Sequence, residues 1–165
     1  MIEIILIAHN VRSCHNVGSL LRTAEGLGVK RVCLTGYTPY PLAEHDSRMP
    51  HIARKLHAQI HKTALGAEEM IEWQHAEDVE SVLNELKDTD YEIVALEQTE
   101  RSVPLPSFRP KAKTALIVGR EVEGIEPEVL GHCDKIVEIP MAGKKESFNV
   151  ASAAAMALYQ LRFLN

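Results

Sequence analysis

Residues 139–161, I-P-M-A-G-K-K-E-S-F-N-V-A-S-A-A-A-M-A-L-Y-Q-L, decide how this chain reads. A β-strand ends in Pro140, a loop with Gly143, Lys144 and Lys145 follows, and Ser147 and Asn149 sit where an Ala-rich helix begins. Ala151, Ser152, Ala153, Ala154, Ala155 and Ala157 carry almost no side chain, so that another backbone can approach this helix closely. The stretch therefore reads as a strand, a polar loop and a helix built for tight packing.

Working outward, the same alternation recurs along the chain. Residues 2–8 read as a buried strand, 17–27 as a helix, 31–35 as a strand and 71–74 as a short strand. Residues 77–87 carry Val79, Val82, Leu83 and Leu86 at the spacing of one helical face, and 91–96 return to strand. Residues 114–118 and 135–139 complete the strands before a last helix over 148–163. Six strands alternating with helices predict an α/β fold with a parallel sheet covered on both faces. Residues 36–50 and 99–113, each with three prolines, read as loops inside a single domain spanning 1–165, since neither is rich in Ser or Gly.

Composition narrows the class. With 45% hydrophobic and 25% charged residues the chain is an ordinary globular protein. It has no apolar run near the ~20 residues of a membrane span and no basic, apolar leader, so a cytoplasmic protein is expected, with no membrane partner. Cys14, Cys33 and Cys133 are odd in number and lack C-x-x-C spacing, which fits reduced thiols. A metal site from Cys14, His15, His132 and Cys133 would lack a recognised zinc-ligand spacing, and no metal is expected.

The formal charge of −5 hides an asymmetry. Residues 9–62 hold eight Lys or Arg against three acids, a surplus of five positive charges, and six of the eight histidines. A basic face there suits a phosphate-bearing partner, whereas scattered solvated helix faces would account for the same count.

Open α/β sheets bind ligands at the carboxyl ends of their strands. Three such ends are unusual: N-V-R-S-C-H-N-V-G-S-L-L-R after the first strand, G-R-E-V-E-G-I after Val118, and the loop of residues 140–149. They bring glycines able to admit a ligand close to the backbone, a carboxylate, a guanidinium and several amides. Each has a plain structural explanation: Asn16 as a helix cap, Glu121 on the surface, Gly124 in a turn, Ser147 and Asn149 as caps. Arg22 is harder to dismiss, because Leu20, Leu21, Ala24 and Leu27 surround it with core-like positions and a buried guanidinium needs partners.

The ordered set N-x-G-S-x-x-R, G-x-E-x-x-G-I and I-P-M followed by S-F-N-V-A-S resembles the three motifs of the SpoU/TrmH branch of the SPOUT RNA methyltransferases, over nearly the whole chain. Phe148 stands where the family usually has Leu. The resemblance implies a Rossmann-like SPOUT fold whose C-terminal segment forms a trefoil knot, a homodimer, and S-adenosylmethionine as cofactor. Sequence physics alone would not propose a knot. Carried over, the cofactor would lie against Gly119, Ile139, Met141 and Phe148, while Asn16, Arg22, Glu121, Ser147 and Asn149 match active-site positions.

The implied reaction is methyl transfer to a ribose 2′-hydroxyl of RNA. Arg22 holds its proton too tightly to be an easy base, and would stabilise the oxyanion and fix a phosphate, with Glu121 holding Arg22 or Asn149. Arg12, Arg48, Arg54 and Lys55 would track the RNA backbone. No appended RNA-binding domain is read in the sequence, and tRNA is favoured over rRNA as the acceptor. A catalytically silent nucleotide- or cofactor-binding protein, or a methyltransferase for another acceptor, are the alternatives.

Overall fold

A computed structural model describes residues 2–164; Met1 and Asn165 lie outside the described residues. In chain order the elements are β1 (Glu3–His9), α1 (Cys14–Gly26), β2 (Arg31–Thr35), α2 (Pro50–Ala64), α3 (Ala67–Met70), β3 (Trp73–Ala76), α4 (Val79–Asp88), β4 (Glu92–Leu96), β5 (Val103–Pro104), β6 (Lys113–Val118), α5 (Pro127–Leu130), β7 (Lys135–Glu138) and α6 (Val150–Phe163). The strands form one parallel sheet in the order β3-β2-β1-β6-β4-β7-β5.

Alternation along the central strands builds two cores. Ile4, Leu6 and Ala8 of β1 face one side with Leu116 and Val118 of β6, where Leu20, Leu21, Ile60, Ala154 and Leu158 cover them. Ile5 and Ile7 face the other with Ile93, Ala115 and Ile117, under Val82, Leu83 and Leu86 of α4 and Val129 of α5. Strands buried on both faces have no polar side, so they read as the continuous apolar runs seen in the sequence.

The sheet order differs from a simple winding. β6 lies between β1 and β4, paired Leu6↔Leu116 and Val94↔Leu116, and β7 lies between β4 and β5. The chain thus returns twice toward the middle of the sheet, so that the carboxyl ends of β1, β6, β4 and β7 stand side by side.

The sheet has a seventh strand, β5, beyond the six expected, a two-residue edge strand where Pro104 is tolerated because an edge leaves its missing N–H unneeded. A larger departure is α2. The sequence shows it poorly because only Ala53, Ile60 and Ala64 are buried. At Gly18 it comes close to α1: a Cβ there would lie 2.2 Å from Thr63 Oγ1 and 2.3 Å from the Ile60 carbonyl oxygen.

α6 returns from β7 to lie beside α1. Its last turn is held by Arg162, whose guanidinium donates to the carbonyls of Leu27 (2.9 Å), Ile2 (2.6 Å) and Gly28 (2.6 Å). The C-terminal helix is thereby fastened to the end of α1 and the start of β1.

Candidate active site

The carboxyl ends of the strands carry a directed chain of side-chain hydrogen bonds. Ser13, not Asn16, caps α1, accepting from the Asn16 N–H at 3.2 Å, which leaves the Asn16 side chain free in the first turn. Its Nδ2 donates to Glu121 Oε1 at 3.1 Å, and its Oδ1 accepts from Asn149 Nδ2 at 3.1 Å. Asn149 in turn caps α6, its Oδ1 accepting from the N–H groups of Ala151 (3.0 Å) and Ser152 (3.3 Å). A carboxylate only accepts, so Glu121 fixes which end of Asn16 faces it, Asn16 fixes Asn149, and every donor points toward Glu121. Two of the three unusual strand ends supply Glu121 and Asn149, and the third supplies Asn16.

Next to this chain a cleft of about 280 Å³ opens between the ends of β4, β6 and β7. That is near the lower bound of small-molecule sites, at roughly 300 Å³. Gly119, Ile139 and Phe148 line it, as does Ser147, whose hydroxyl has no hydrogen-bond partner among the described residues. Met141 lies in an adjoining hollow that shares Gln98, Glu138 and Ile139 with the cleft. Glu97, Glu121, Glu123, Glu138 and Glu146 line the cleft against a single basic side chain, Arg120. Such a wall favours a cationic ligand and repels a polyanion, so the donor set fits the sulfonium and ammonium charges of S-adenosylmethionine.

The motif glycines serve the protein's own packing. An added Cβ on Gly119 would lie 2.6 Å from Ile125 Cγ1, and one on Gly124 would lie 2.2 Å from Glu97 Oε2. Glu97 uses that proximity, accepting from the Gln98 N–H at 2.9 Å and the Ile125 N–H at 3.0 Å. With Gly18 against α2, all three glycines make room for the chain itself, while Gly119 and Gly124 also line the cleft.

The loop holding Glu121 has a second brace that the sequence did not disclose. Arg120 Nε donates to the Gly124 carbonyl at 3.1 Å, and Glu126 accepts from Asn10 Nδ2 at 3.0 Å. Glu126 also lies 3.1 Å from Nε2 of His9, a nearly buried histidine at the end of β1 whose Nδ1 is 2.9 Å from Thr35 Oγ1. Nε2 also lies 3.2 Å from Asn10 Nδ2, so the tautomer of His9 decides which of these contacts are hydrogen bonds. Burial pushes the His9 pKa down despite the neighbouring Glu126 carboxylate. His9 and Asn10 end an apolar strand, and the left-handed backbone of Asn10, with φ of 55°, is the kind of strain that no sequence pattern reveals.

Arg22 departs from its expected place. It is exposed on α1 and has no hydrogen bond or ion pair among the described residues, so Glu121 holds Asn16 and not Arg22. Arg48 is also otherwise engaged: its guanidinium bonds Asp46 and the carbonyls of Tyr40 (2.9 Å) and Pro41 (2.8 Å), and lies 3.5 Å above the Tyr40 ring centroid. Its charge is thus taken up inside the loop after β2. Arg12, Arg54 and Lys55 are exposed.

Cys14 packs on one face of the sheet and Cys133 on the other, so the four residues weighed as a metal site do not converge. Among the described residues no group of three or more His, Cys, Asp or Glu could hold a metal ion, and no helix is long and apolar enough to cross a membrane.

A family model described as the SpoU rRNA Methylase family matches residues 3–159. The 23S rRNA (guanosine-2′-O-)-methyltransferase RlmB of Neisseria meningitidis is 30% identical over 159 residues, covering 96% of this chain and 58% of that protein. The tRNA (guanosine(18)-2′-O)-methyltransferase of Aquifex aeolicus is 29% identical over 161 residues, 96% of this chain and 68% of that one. Among solved structures, the AdoMet-bound rRNA methyltransferase of Sinorhizobium meliloti matches with a TM-score of 0.80 at 22% identity, over 97% of this chain and 56% of that chain. The chain thus spans just over half the length of several proteins it matches.

Proposed function

The chain belongs to the SpoU rRNA methylase family, and from that premise we propose that it transfers a methyl group from S-adenosylmethionine to a ribose 2′-hydroxyl of RNA. The observation that carries this reading is the hydrogen-bond chain from Asn149 through Asn16 to Glu121, set beside an acidic cleft at the carboxyl ends of β4, β6 and β7.

Bound S-adenosylmethionine supplies a methyl group on a sulfonium, which is already a good leaving group. The work left to the protein is alignment and charge. Gly119, Ile139 and Phe148 shape the cleft, Met141 its adjoining hollow, and the surrounding carboxylates hold positive charge there. Asn16 and Asn149, locked in one orientation by Glu121 and by the first turn of α6, fix the geometry at the acceptor side. The Ser147 hydroxyl, on the cleft wall, is free to bond a ligand.

Arg22 fits this scheme in a homodimer. Met156, Tyr159 and Phe163 form an exposed apolar stripe along α6, with the Tyr159 and Phe163 rings 5.1 Å apart. An apolar stripe at this spacing on a helix is suited to a second copy of the chain. Arg22 lies on α1, which packs beside α6, and its unpaired guanidinium would then meet a developing oxyanion or a phosphate in a site built by both copies. The return of the chain from β7 to α1 is consistent with the knotted threading that the family implies.

The acceptor is RNA, with tRNA placed first. A solved structure titled for 2-OH methylation of C/U34 on tRNA matches over 96% of this chain and 93% of that chain, at a TM-score of 0.75 and 22% identity. Arg12, Arg54 and Lys55 contribute phosphate contacts, in a cytoplasmic setting that keeps the thiols reduced. The test is transfer of tritiated methyl from S-adenosylmethionine to total tRNA and, separately, to ribosomal RNA. Label in the tRNA pool that Arg22→Ala abolishes supports the reading; label confined to rRNA reverses the choice of acceptor. No label in either, despite cofactor binding, contradicts the assignment.

A further inference from the structure

The loop after β2 holds an exposed aromatic ring on a rigid mount. A Cβ on Gly36, which has a φ of +65°, would lie 2.0 Å from Asn10 Oδ1. That same oxygen accepts the Tyr37 N–H at 3.1 Å. On the other side, the buried Thr38 hydroxyl accepts the Val11 N–H at 3.1 Å and reaches the carbonyls of Ala8 (2.9 Å) and Thr35 (2.8 Å). The Tyr37 backbone is therefore tied to the end of β1 from both sides, yet the residue is 49% exposed.

Behind it the loop is stiffened by stacking. The Tyr40 and His75 rings lie 4.1 Å apart at an interplanar angle of 23°, and Arg48 covers Tyr40. Together these residues wall an open hollow beside Tyr37, which Arg12 shares. The Arg12 guanidinium lies 5.5 Å from the Tyr37 ring centroid and makes no salt bridge among the described residues. The Tyr37 hydroxyl and the nearby carboxylates of Glu123 and Glu121 favour its charged form. Arg12 thus stands at the border between this hollow and the acidic cleft, four residues before Asn16.

A tyrosine exposed by accident needs neither a fixed backbone nor a stiffened floor. The acidic cleft repels phosphate, so an RNA strand reaching Asn16 has to approach from the basic side, where Arg12 and Tyr37 lie. Resting on the reading of the site as an RNA ribose methyltransferase, we propose that Tyr37 and Arg12 form a nucleotide platform: the Tyr37 ring stacks on an unpaired base of the acceptor RNA and Arg12 holds the adjacent phosphate. Unpaired bases are recognised by stacking on aromatic rings whatever their sequence, and a ring already ordered loses little freedom on binding.

The test is fluorescence anisotropy of labelled total tRNA with wild type, Tyr37→Phe, Tyr37→Leu and Arg12→Gln, with S-adenosylmethionine titration of each variant as the check on folding. Tyr37→Leu weakens RNA binding by about 5- to 150-fold while cofactor affinity holds. Tyr37→Phe stays within about twofold of wild type, because the ring and not the hydroxyl stacks. Arg12→Gln reduces the salt slope of binding by about one. RNA affinity unchanged in Tyr37→Leu, or lost equally in Tyr37→Phe, overturns the platform. Tyr37-dependent RNA binding without methyl transfer leaves the platform standing and removes the proposed activity; a wild-type protein that binds no RNA removes both.

Discussion

Gly18→Ala sets two physical effects against each other, and the structure decides which wins. Alanine in place of glycine inside a helix favours folding by about 1 kcal/mol. Here, however, the new Cβ would lie 2.2 Å from Thr63 Oγ1, 2.3 Å from the Ile60 carbonyl oxygen and 2.9 Å from the Ala64 nitrogen. Ordinary contacts of a carbon lie at about 3.5 Å, so the overlap exceeds 1 Å against backbone that cannot swing away. Overpacking of this kind costs typically 1–3 kcal/mol, and more where no side chain can yield. The expected net loss is about 2 kcal/mol, or roughly 5 °C in Tm for a domain of this size. Thermal unfolding followed by circular dichroism measures it. Adding Thr63→Ala relieves only the first overlap, so the double variant remains less stable than Thr63→Ala alone. A Gly18→Ala protein as stable as wild type, or more so, would refute the claim that this motif glycine exists for the α1–α2 contact.

Three further outcomes are expected. Asn16→Ala and Asn16→Asp both lower kcat about 100-fold, because neither donates to Glu121, while Tm changes little; retention of activity by Asn16→Asp would show that the donor is not needed. Arg162→Ala removes three hydrogen bonds to carbonyls that close α1 and begin β1, and lowers Tm by several degrees, on the order of 1.5–3 kcal/mol, in the same unfolding experiment. His9, whose pKa is lowered on folding, is held neutral, so the unfolded chain binds its proton first as the pH falls below about 6.5. Stability is complete above that value and declines below it, and urea midpoints of His9→Gln should lack this part of the slope between pH 7 and pH 5.

The strands were legible because those of a doubly covered parallel sheet are apolar on both faces, as residues 3–9 and 113–118 illustrate. α2 was not, because its contact with α1 uses backbone and small residues that leave a weak apolar period. At the site, Asn16, Glu121 and Asn149 were visible as residues, but their joining end to end depends on β6 lying beside β1, which sequence order does not show. Arg22 misled for a geometric reason: its apolar neighbours at positions one and two away on a helix point to other faces, and His15, Arg22 and Gly26 share the exposed one.

The most direct test of the central claim is where the methyl group goes. RNA labelled by the protein from tritiated S-adenosylmethionine is digested with alkali, which needs a free 2′-hydroxyl to cleave the following phosphodiester. Label recovered in an alkali-resistant dinucleotide, lost with Asn16→Ala, is the predicted result. Label released in mononucleotides would place the methyl on a base and contradict the account.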